Sequence, residues 1–311
     1  MILNDGLENT QTDYIAASQA IAILENRAGK LPEGGTNKRR VKPDAPFFLA
    51  VGFVRPHVPF IATESNFNHY PEEEMNIPEV VVGDNVPEEA LRRQNEKVWK
   101  MDETQKKQTI GAYMASVQFM DQQVGRLLDA LDRLKIREET IVIFISDHGY
   151  NLGEHDSWSK VSLWEGSIRV PMIISHPGFK ENYGSSDDTI TELIDLYPTL
   201  AELGGLSEKQ PEILQGKSLA GIITGEKISR EFTAYTISYG GKGASLRTDQ
   251  LRYTRWGESV ESVNEELYDH TNDSEEHVNL AQDSNYQDAL IDMRRQFELA
   301  RKKARSKVGS E

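Results

Sequence analysis

Residues 141–150 read Ile-Val-Ile-Phe-Ile-Ser-Asp-His-Gly-Tyr, and this stretch decides the fold. The apolar, mostly β-branched run followed by polar residues predicts a buried strand of an α/β sheet. Open α/β sheets place their chemistry at the carboxyl ends of the strands, where Asp147 and His148 fall. A carboxylate beside an imidazole offers oxygen and nitrogen ligands to a metal ion, and Gly149 lets the chain turn away without a side chain in the site. The stretch therefore predicts a metal-binding strand end; the alternative is an Asp-Gly turn that only terminates a strand.

A second apolar run, Phe47–Phe53, ends in a similar way. Its nearly continuous apolar character predicts a strand that is covered on both faces. The segment Arg55-Pro56-His57-Val58-Pro59 follows, and its two prolines exclude a helix and stiffen the backbone. Arg55 and His57 are therefore presented from a rigid loop. We predict that His57 faces the same site as Asp147, the alternative being an ordinary surface histidine.

Helices and further strands are expected around these two runs. A helix is predicted over 12–26 with Thr12 as its cap, and a long amphipathic helix over 110–134, where apolar residues recur every three or four positions. Residues 61–105 are acidic and aperiodic, which predicts an excursion over the surface. Another buried strand is expected at 169–175. The order helix, strand, loop, strand indicates parallel β-α-β architecture.

The character of the chain changes after Gly204-Gly205. Short segments separated by turns rich in Gly, Asp and Asn predict an antiparallel meander, and a last helix over about 286–303 is expected to pack on it. The predicted fold class is α/β, with a mostly parallel sheet sandwiched by helices over residues 1–205 and a smaller antiparallel sheet with a terminal helix over residues 206–311. The meander segments are 232–238, 244–248, 251–256 and 266–268.

Composition limits the class of protein. With 311 residues, 38% of them hydrophobic, the chain can bury a substantial core. A formal charge of −15 argues against nucleic-acid partners, although a local basic pocket for an anionic substrate is compatible with it. The absence of cysteine leaves oxygen and imidazole as the metal ligands. No apolar run approaches the roughly 20 residues that span a bilayer, and the first residues lack the layout of a signal peptide.

Each of the two strand ends is part of a longer sequence motif. They are Asp147-His148-Gly149-Tyr150-x-Leu152-Gly153-Glu154-His155-x-x-Trp158-x-Lys160 and Phe53-x-Arg55-Pro56-His57-x-Pro59-Phe60. Both resemble the sulfatase family of the alkaline-phosphatase superfamily, and the iduronate-2-sulfatase-like branch in particular. The resemblance continues through 113–134 and 192–200 and ends with Glu266-Leu267-Tyr268-Asp269 and Asn279-Leu280-Ala281. It implies the alkaline-phosphatase-like fold and a sulfuric ester hydrolase that acts on a sulfated carbohydrate or another sulfate ester.

The nucleophile of that family is missing from this sequence. Sulfatases carry an Asp-Asp pair and a Cys/Ser-x-Pro-x-Arg motif whose first residue becomes formylglycine, and neither a cysteine nor a Ser-x-Pro-x-Arg run occurs here. We therefore expect that the chain lacks the family's amino-terminal third and is inactive alone. The expected partner is the missing amino-terminal fragment or a second copy of the chain. The resemblance implies a periplasmic or secreted location for the intact family member.

The resemblance also assigns roles to individual residues. Asp147 and His148 would supply half of a Ca²⁺ site, whose other half would be the Asp-Asp pair and the formylglycine. Lys160 would bind the sulfate oxygens, since a compact ammonium suits the charge on a transferring sulfuryl group. His57 would contact sulfate and the leaving oxygen, where it could transfer a proton. Arg55 stands where the related branch has Lys and is assigned to substrate binding.

Two other functions remain open from sequence. Asp147 and His148 also suit zinc or manganese, which is compatible with a metal-dependent phosphoesterase of the same superfamily. A sulfatase-like protein that binds without catalysis is compatible with the missing nucleophile. For single residues the alternatives are simpler: Lys160 as a solvated surface charge and His155 as a structural histidine. Arg247 and Arg252 are interpreted as charges on a strand face.

Overall fold

The structure is a computed structural model that describes residues 1–28, 45–83, 85–91, 99–226, 232–238, 240–257 and 264–306. The chain divides into two compact units, one of residues 1–77 with 101–141 and the other of residues 78–100 with 142–311. The predicted domain boundary at residue 205 lies inside the second unit and stays a prediction. None of the described helices combines the length and apolar composition that crossing a membrane requires.

The helices and strands are numbered along the chain. The α-helices are α1 (Thr12–Arg27), α2 (Glu64–Phe67), α3 (Glu88–Leu91), α4 (Glu103–Arg133), α5 (Glu165–Ile168), α6 (Leu196–Leu203), α7 (Ala220–Ile223) and α8 (Gln287–Arg305). The strands are β1 (Ile2–Leu3), β2 (Ala62–Thr63), β3 (Val142–Ile145), β4 (Asn151–Leu152), β5 (Trp158–Ser159), β6 (Met172–Ser175), β7 (Ala234–Ile237), β8 (Gly243–Arg247), β9 (Leu251–Trp256) and β10 (Glu265–Asp269).

The first unit is built on the two predicted helices. Helix α1 packs against α4, which begins at a capping box formed by Asp102 and Gln105. Phe119 of α4 is fully buried. The predicted cap Thr12 is instead the first helical residue, because the N-cap position is Gln11. Strands β1 and β2 form a short parallel pair.

The strand predicted at Phe47–Phe53 is wrong. These residues have no regular secondary structure, and Phe48 is 80% exposed. A strand exists only where a neighbouring chain completes its hydrogen bonds, and no strand among the described residues pairs with this segment. The apolar character of residues 47–53 could not show whether another strand would pair with them.

The second unit contains the strand predicted from residues 141–150. Strand β3 pairs with β6, and the pair is antiparallel, with Val142 opposite Ser175 and Ile145 opposite Met172. The parallel β-α-β arrangement predicted for these two strands is wrong. A parallel crossover needs a long connection, usually a helix, that returns the chain to the same end of the sheet. The connection over residues 146–171 is long enough for a crossover, but it holds only a short hairpin and the four-residue helix α5, and no long helix returns the chain to the same end of the sheet.

The meander and terminal helix are confirmed. Strands β7 to β10 form an antiparallel sheet in the order β10-β9-β8-β7, and α8 packs on one face of it. The core between sheet and helix consists of buried apolar side chains, among them Leu246, Tyr253, Leu267, Leu290, Met293 and Phe297. Because side chains alternate along each strand, the opposite face carries Arg252, Glu266 and Tyr268, which are also buried. That polar face packs against the segment that carries the predicted site.

Candidate active site

Asp147 and His148 follow directly after β3, as predicted. His148 Nε2 lies 3.5 Å from Asp147 Oδ2, and the side chains are 39% and 86% exposed, respectively. The His148 backbone N–H donates to Asp147 Oδ1 at 3.1 Å, which fixes the carboxylate beside the ring. An oxygen and a nitrogen donor at this separation can both reach one cation from the solvent side.

The tautomer of His148 follows from its neighbour. Its Nδ1 lies 2.9 Å from the carbonyl oxygen of Gly149, and a carbonyl oxygen can only accept. Nδ1 therefore carries the proton in the neutral ring, and Nε2 keeps the lone pair that a metal requires. Backbone carbonyls orient metal-binding histidines in this way.

Gly149 serves close packing. Its N–H donates to the carbonyl oxygen of Ser167 at 2.7 Å. A Cβ atom at this position would lie 2.2 Å from the carbonyl oxygen of Gly166. The prediction that Gly149 keeps the site free of a side chain is therefore incomplete. The glycine lets two backbone segments touch and holds the strand end against the start of α5.

Lys160 is held in a strained loop. The hairpin of β4 and β5 leads into it, and Ser159 and Val161, the two neighbours of Lys160, have φ angles of 81° and 82°. His155 and Asp156 are also left-handed, at 54° and 53°. A β-branched residue such as Val rarely adopts such a φ angle, and residues of this kind cluster at functional sites. The strain has to be compensated by contacts elsewhere in the loop.

Trp164 provides part of that compensation. Its indole N–H donates to Glu266 Oε1 at 3.1 Å and lies 3.3 Å from the Tyr268 hydroxyl, which donates to the same Glu266 oxygen at 2.8 Å. The His155 ring stacks on Trp164 at 4.3 Å between centroids. Burial lowers the pKa of His155, so the ring is kept neutral as a packing residue. The motif Glu266-Leu267-Tyr268-Asp269 thus anchors the Lys160 loop.

A buried ionic network, which sequence reasoning missed, completes the anchoring. Arg252 is 2% exposed, and its guanidinium contacts the carboxylates of both Glu165 and Glu276. The Glu165 N–H donates to the second Glu276 oxygen at 2.8 Å. His270 Nε2 lies 2.8 Å from Glu276. Burial alone would raise the pKa of the Glu276 carboxyl, but the charge of Arg252 and the hydrogen bonds from His270 and the Glu165 N–H together outweigh it, so that the pKa is lowered.

The network was hidden in the sequence because its members are far apart. Glu165 and Arg252 are 87 positions apart, and in sequence a buried arginine of β9 looks like a charge on an exposed strand face. Arg169 lies at the edge of this network, with its side chain 79% exposed and Nη1 3.9 Å from Glu165 Oε2.

Three of the predicted site residues line one cleft of the second unit. Its volume is about 2400 Å³, and Asp147, His148 and Lys160 all belong to its wall, together with Arg247 and His270. The cleft therefore combines a carboxylate and an imidazole with the cationic side chains of Lys160 and Arg247, which suit an anionic ligand.

Arg55 and His57 belong to the first unit. The backbone N–H groups of Val54 and Arg55 donate to the carboxylate of Asp13, at 2.8 and 3.0 Å, and Asp13 is almost fully buried. His57 is exposed, with Nδ1 2.7 Å from the carbonyl oxygen of Val58, which leaves Nε2 for other contacts. The two hydrogen bonds to Asp13 attach the start of this loop to α1. That it shares a cleft with Lys160 stays a prediction.

Two groups of side chains could in principle hold a cation. Ligand atoms of Glu165, His270 and Glu276 lie within 4.8 Å of one another, but both carboxylates already pair with the guanidinium of Arg252. Asp147 and His148 are open to solvent and lack a competing cation within hydrogen-bond distance among the described residues. Their donor types fit a divalent ion, and they are the better candidates.

Comparison with known proteins establishes the family of the chain. The family model described as Sulfatase matches residues 36–206, and the model described as N-sulphoglucosamine sulphohydrolase, C-terminal, matches residues 153–303. A sulfatase of Formosa agariphila is 33% identical over 243 residues, covering 76% of this chain and 46% of that protein. Human iduronate 2-sulfatase is 34% identical over 239 residues, covering 64% and 41%. The chain spans about half the length of these relatives.

A solved structure shows the same fold. Phosphonate monoester hydrolase of Agrobacterium radiobacter superposes with a TM-score of 0.75 at 21% identity, covering 95% of this chain and 61% of that one. The architecture is therefore that of the alkaline-phosphatase-like α/β proteins. Within that class, the chain belongs to the sulfatase family. Its similarity to iduronate 2-sulfatase agrees with the branch that the two motifs indicated.

Proposed function

We propose that this protein contributes to the hydrolysis of a sulfate ester on a carbohydrate. The observation that carries the proposal is the cleft in which Lys160 lies together with Asp147 and His148. A cationic side chain that is held in a strained loop and lines the same cleft as a carboxylate and an imidazole suits a tetrahedral, singly charged sulfate ester. The name of the human relative, iduronate 2-sulfatase, supports a sulfated sugar as the substrate class.

Each predicted residue has a role in this proposal. Lys160 binds sulfate oxygens, and its charge stabilises the negative charge of the group being transferred. His57 contacts the sulfate and the leaving oxygen through Nε2 and can transfer a proton there. Arg55 binds the substrate. Asp147 and His148 Nε2 hold one side of a Ca²⁺ ion, which would neutralise sulfate and nucleophile charge when bound.

The nucleophile is not among these 311 residues, since they contain no cysteine and no Ser-x-Pro-x-Arg run. We propose that a formylglycine supplied by residues outside this sequence completes the site. Exposed apolar side chains, such as Phe48 at 80% and Ile173 at 60%, support association with a further polypeptide segment or with a second copy. A periplasmic or secreted location belongs to the same proposal.

The runner-up is a metal-dependent phosphoesterase. It is supported by the donor set of Asp147 and His148, which also suits zinc or manganese. The likeness to a phosphonate monoester hydrolase is at 21% identity and concerns the fold alone. The sulfatase family match favours the sulfate ester over the phosphate ester. A non-catalytic binding protein is the third candidate. The absence of turnover by a chain extended to include the nucleophile motif would favour it.

Turnover of a chromogenic aryl sulfate tests the proposal. The purified chain should show none, whereas a form extended to include a Cys/Ser-x-Pro-x-Arg motif, converted to formylglycine, should hydrolyse the ester. Lys160→Ala and Asp147→Ala in the extended form should each lower kcat/KM at least tenfold, since each removes a charge-assisted contact. Glu202→Gln, an exposed residue of α6, is the control and should leave it unchanged.

Other outcomes would contradict the proposal. Turnover by the unextended chain that disappears in its Asp147→Ala variant would show that the nucleophile lies within these residues. Faster hydrolysis of an aryl phosphate than of the sulfate by the extended form would favour the phosphoesterase.

A further inference from the structure

Glu266 of β10 is a buried carboxylate to which the proposed function gives no role. It is 1% exposed. Its Oε2 accepts a hydrogen bond from the indole N–H of Trp256 at 2.6 Å. Its Oε1 accepts from the indole N–H of Trp164 at 3.1 Å and from the Tyr268 hydroxyl at 2.8 Å. All three donors are neutral, and burial raises the pKa of the carboxyl to about 7. Because burying a carboxylate among neutral donors destabilises a fold, stability alone does not account for this residue.

The two tryptophans connect Glu266 to different parts of the chain. Trp256 lies on β9, which is the neighbour of β10 in the same sheet. Trp164 lies outside the sheet, four positions after Lys160 and at the N-cap of α5. The hydrogen bond from Trp256 therefore joins two strands that already pair. The hydrogen bond from Trp164 attaches the segment that carries Lys160 to the sheet.

This segment is held on both sides of Lys160. Trp158 precedes Lys160 and Trp164 follows it, and both are 3% exposed. Between them, Ser162 Oγ accepts a hydrogen bond from Asn151 Nδ2 at 3.2 Å. Lys160 itself is half-buried and lines the cleft. An ammonium on a flexible four-carbon side chain is placed only as precisely as the backbone that carries it, so the attachment points on either side determine where the charge lies.

We propose that Trp164 and Glu266 are positioning residues for Lys160. The Tyr268 hydroxyl fixes the oxygen that receives the Trp164 N–H, and a hydrogen bond to a carboxylate is stronger than one to a neutral acceptor. Val161 has a φ angle of 82°, so that a segment released from this attachment would relax toward a negative φ and move Lys160. The inference rests on the proposed function in one respect, namely that Lys160 binds sulfate.

Hydrogen–deuterium exchange tests the positioning without a ligand. Trp164→Phe keeps an aromatic ring and removes the N–H donor, and Trp256→Phe is the matched control because it removes a donor from the same carboxylate. At about pH 8, Trp164→Phe should speed exchange of the backbone amides of residues 158–164 at least tenfold and leave those of α8 unchanged. Trp256→Phe should leave residues 158–164 at the parent rate. Unchanged exchange in Trp164→Phe, or an equal rise in both variants, overturns the proposal.

Tyr268→Phe keeps the exchange test decisive where Trp164→Phe does not fold. It removes only the hydroxyl that orients Glu266 Oε1. Exchange of residues 158–164 should rise in this variant as well, by a smaller factor. A parent rate there would overturn the proposal.

The affinity for a sulfated disaccharide tests what the positioning achieves. By calorimetry on the full chain, Trp164→Phe should weaken binding of the sulfated form at least tenfold and leave binding of the desulfated form unchanged. Trp256→Phe should keep the parent's preference even where it lowers Tm. A preference that survives Trp164→Phe, or that both variants lose equally, overturns the positioning of Lys160. A parent chain without any preference refutes the proposed function instead, and the exchange rates then decide the positioning.

Discussion

At the scale of single residues, the site depends on backbone packing as much as on charge. Asp147, His148 and Lys160 were predicted from motif and strand position, and all three line one cleft. The role of Gly149 could not be predicted, because the atoms it touches belong to residues 166 and 167. A sequence shows that a glycine is present but not which backbone passes beside it.

Gly149→Ala should destabilise the protein by about 1–3 kcal/mol, because its Cβ would lie 2.2 Å from a carbonyl oxygen that belongs to rigid backbone. Urea denaturation measures the change. Gly125→Ala is the contrasting variant, since it lies inside α4 with no atom within 4 Å of the added Cβ, and it should stabilise by about 0.5–1 kcal/mol. Equal effects of the two variants would refute the packing account.

Calcium should bind weakly to this chain. Asp147 and His148 provide two side-chain ligands, whereas Ca²⁺ takes about six to eight, mostly oxygens. Calorimetric titration should therefore show no binding at micromolar concentrations, and Asp147→Asn should remove any millimolar binding that is seen. Tight one-to-one binding that persists in Asp147→Asn would place the calcium site elsewhere.

At the scale of elements, the sheet β7–β10 has two different faces. The apolar face holds α8; the meander and a last helix packed on it were predicted from short segments separated by turn residues. The polar face holds the Lys160 loop through Trp164, Glu266 and Arg252. This contact could not be predicted, because Trp164 and Glu266 are 102 positions apart and a buried carboxylate looks like a surface charge in sequence. The predicted strand at Phe47–Phe53 failed for a related reason, since its neighbour was not specified.

Glu266 should make stability depend on pH. Its complete burial raises the pKa from 4.5 to about 7, despite the hydrogen bonds donated by Trp256, Tyr268 and Trp164. Between these values the folded protein keeps a proton that the unfolded chain has released. The raised pKa therefore adds ~3 kcal/mol to the free energy of unfolding. This contribution is complete below about pH 4.5 and is lost as the pH rises to about 7.

Glu266→Gln isolates this effect, because glutamine cannot titrate. Urea denaturation from pH 4.5 to 8 should show that the difference in unfolding free energy between the parent and Glu266→Gln changes steadily up to about pH 7 and then levels off. Glu202→Gln, which alters an exposed glutamate, should run parallel to the parent. A Glu266→Gln curve parallel to the parent over the whole range would mean that Glu266 is ionised throughout.

At the scale of the whole molecule, family and fold class were predicted from two motifs, and both are confirmed. The motifs succeed because the chemistry of sulfate and metal binding restricts which residues can stand at a strand end and at what spacing. Strand direction is less restricted, and the β3–β6 pair proved antiparallel. The Lys160 cleft lies wholly within the second unit, so that its part in sulfate recognition can be measured on this chain.

The most direct test of that part is the affinity for a sulfated disaccharide compared with its desulfated form. Isothermal titration calorimetry on the full chain measures both affinities. We expect the sulfated form to bind at least tenfold more tightly, and Lys160→Ala to remove most of that preference, because one charge-assisted contact is worth about 1.5–3 kcal/mol. Equal binding of the two saccharides, or a preference that survives Lys160→Ala, would contradict sulfate recognition by this cleft.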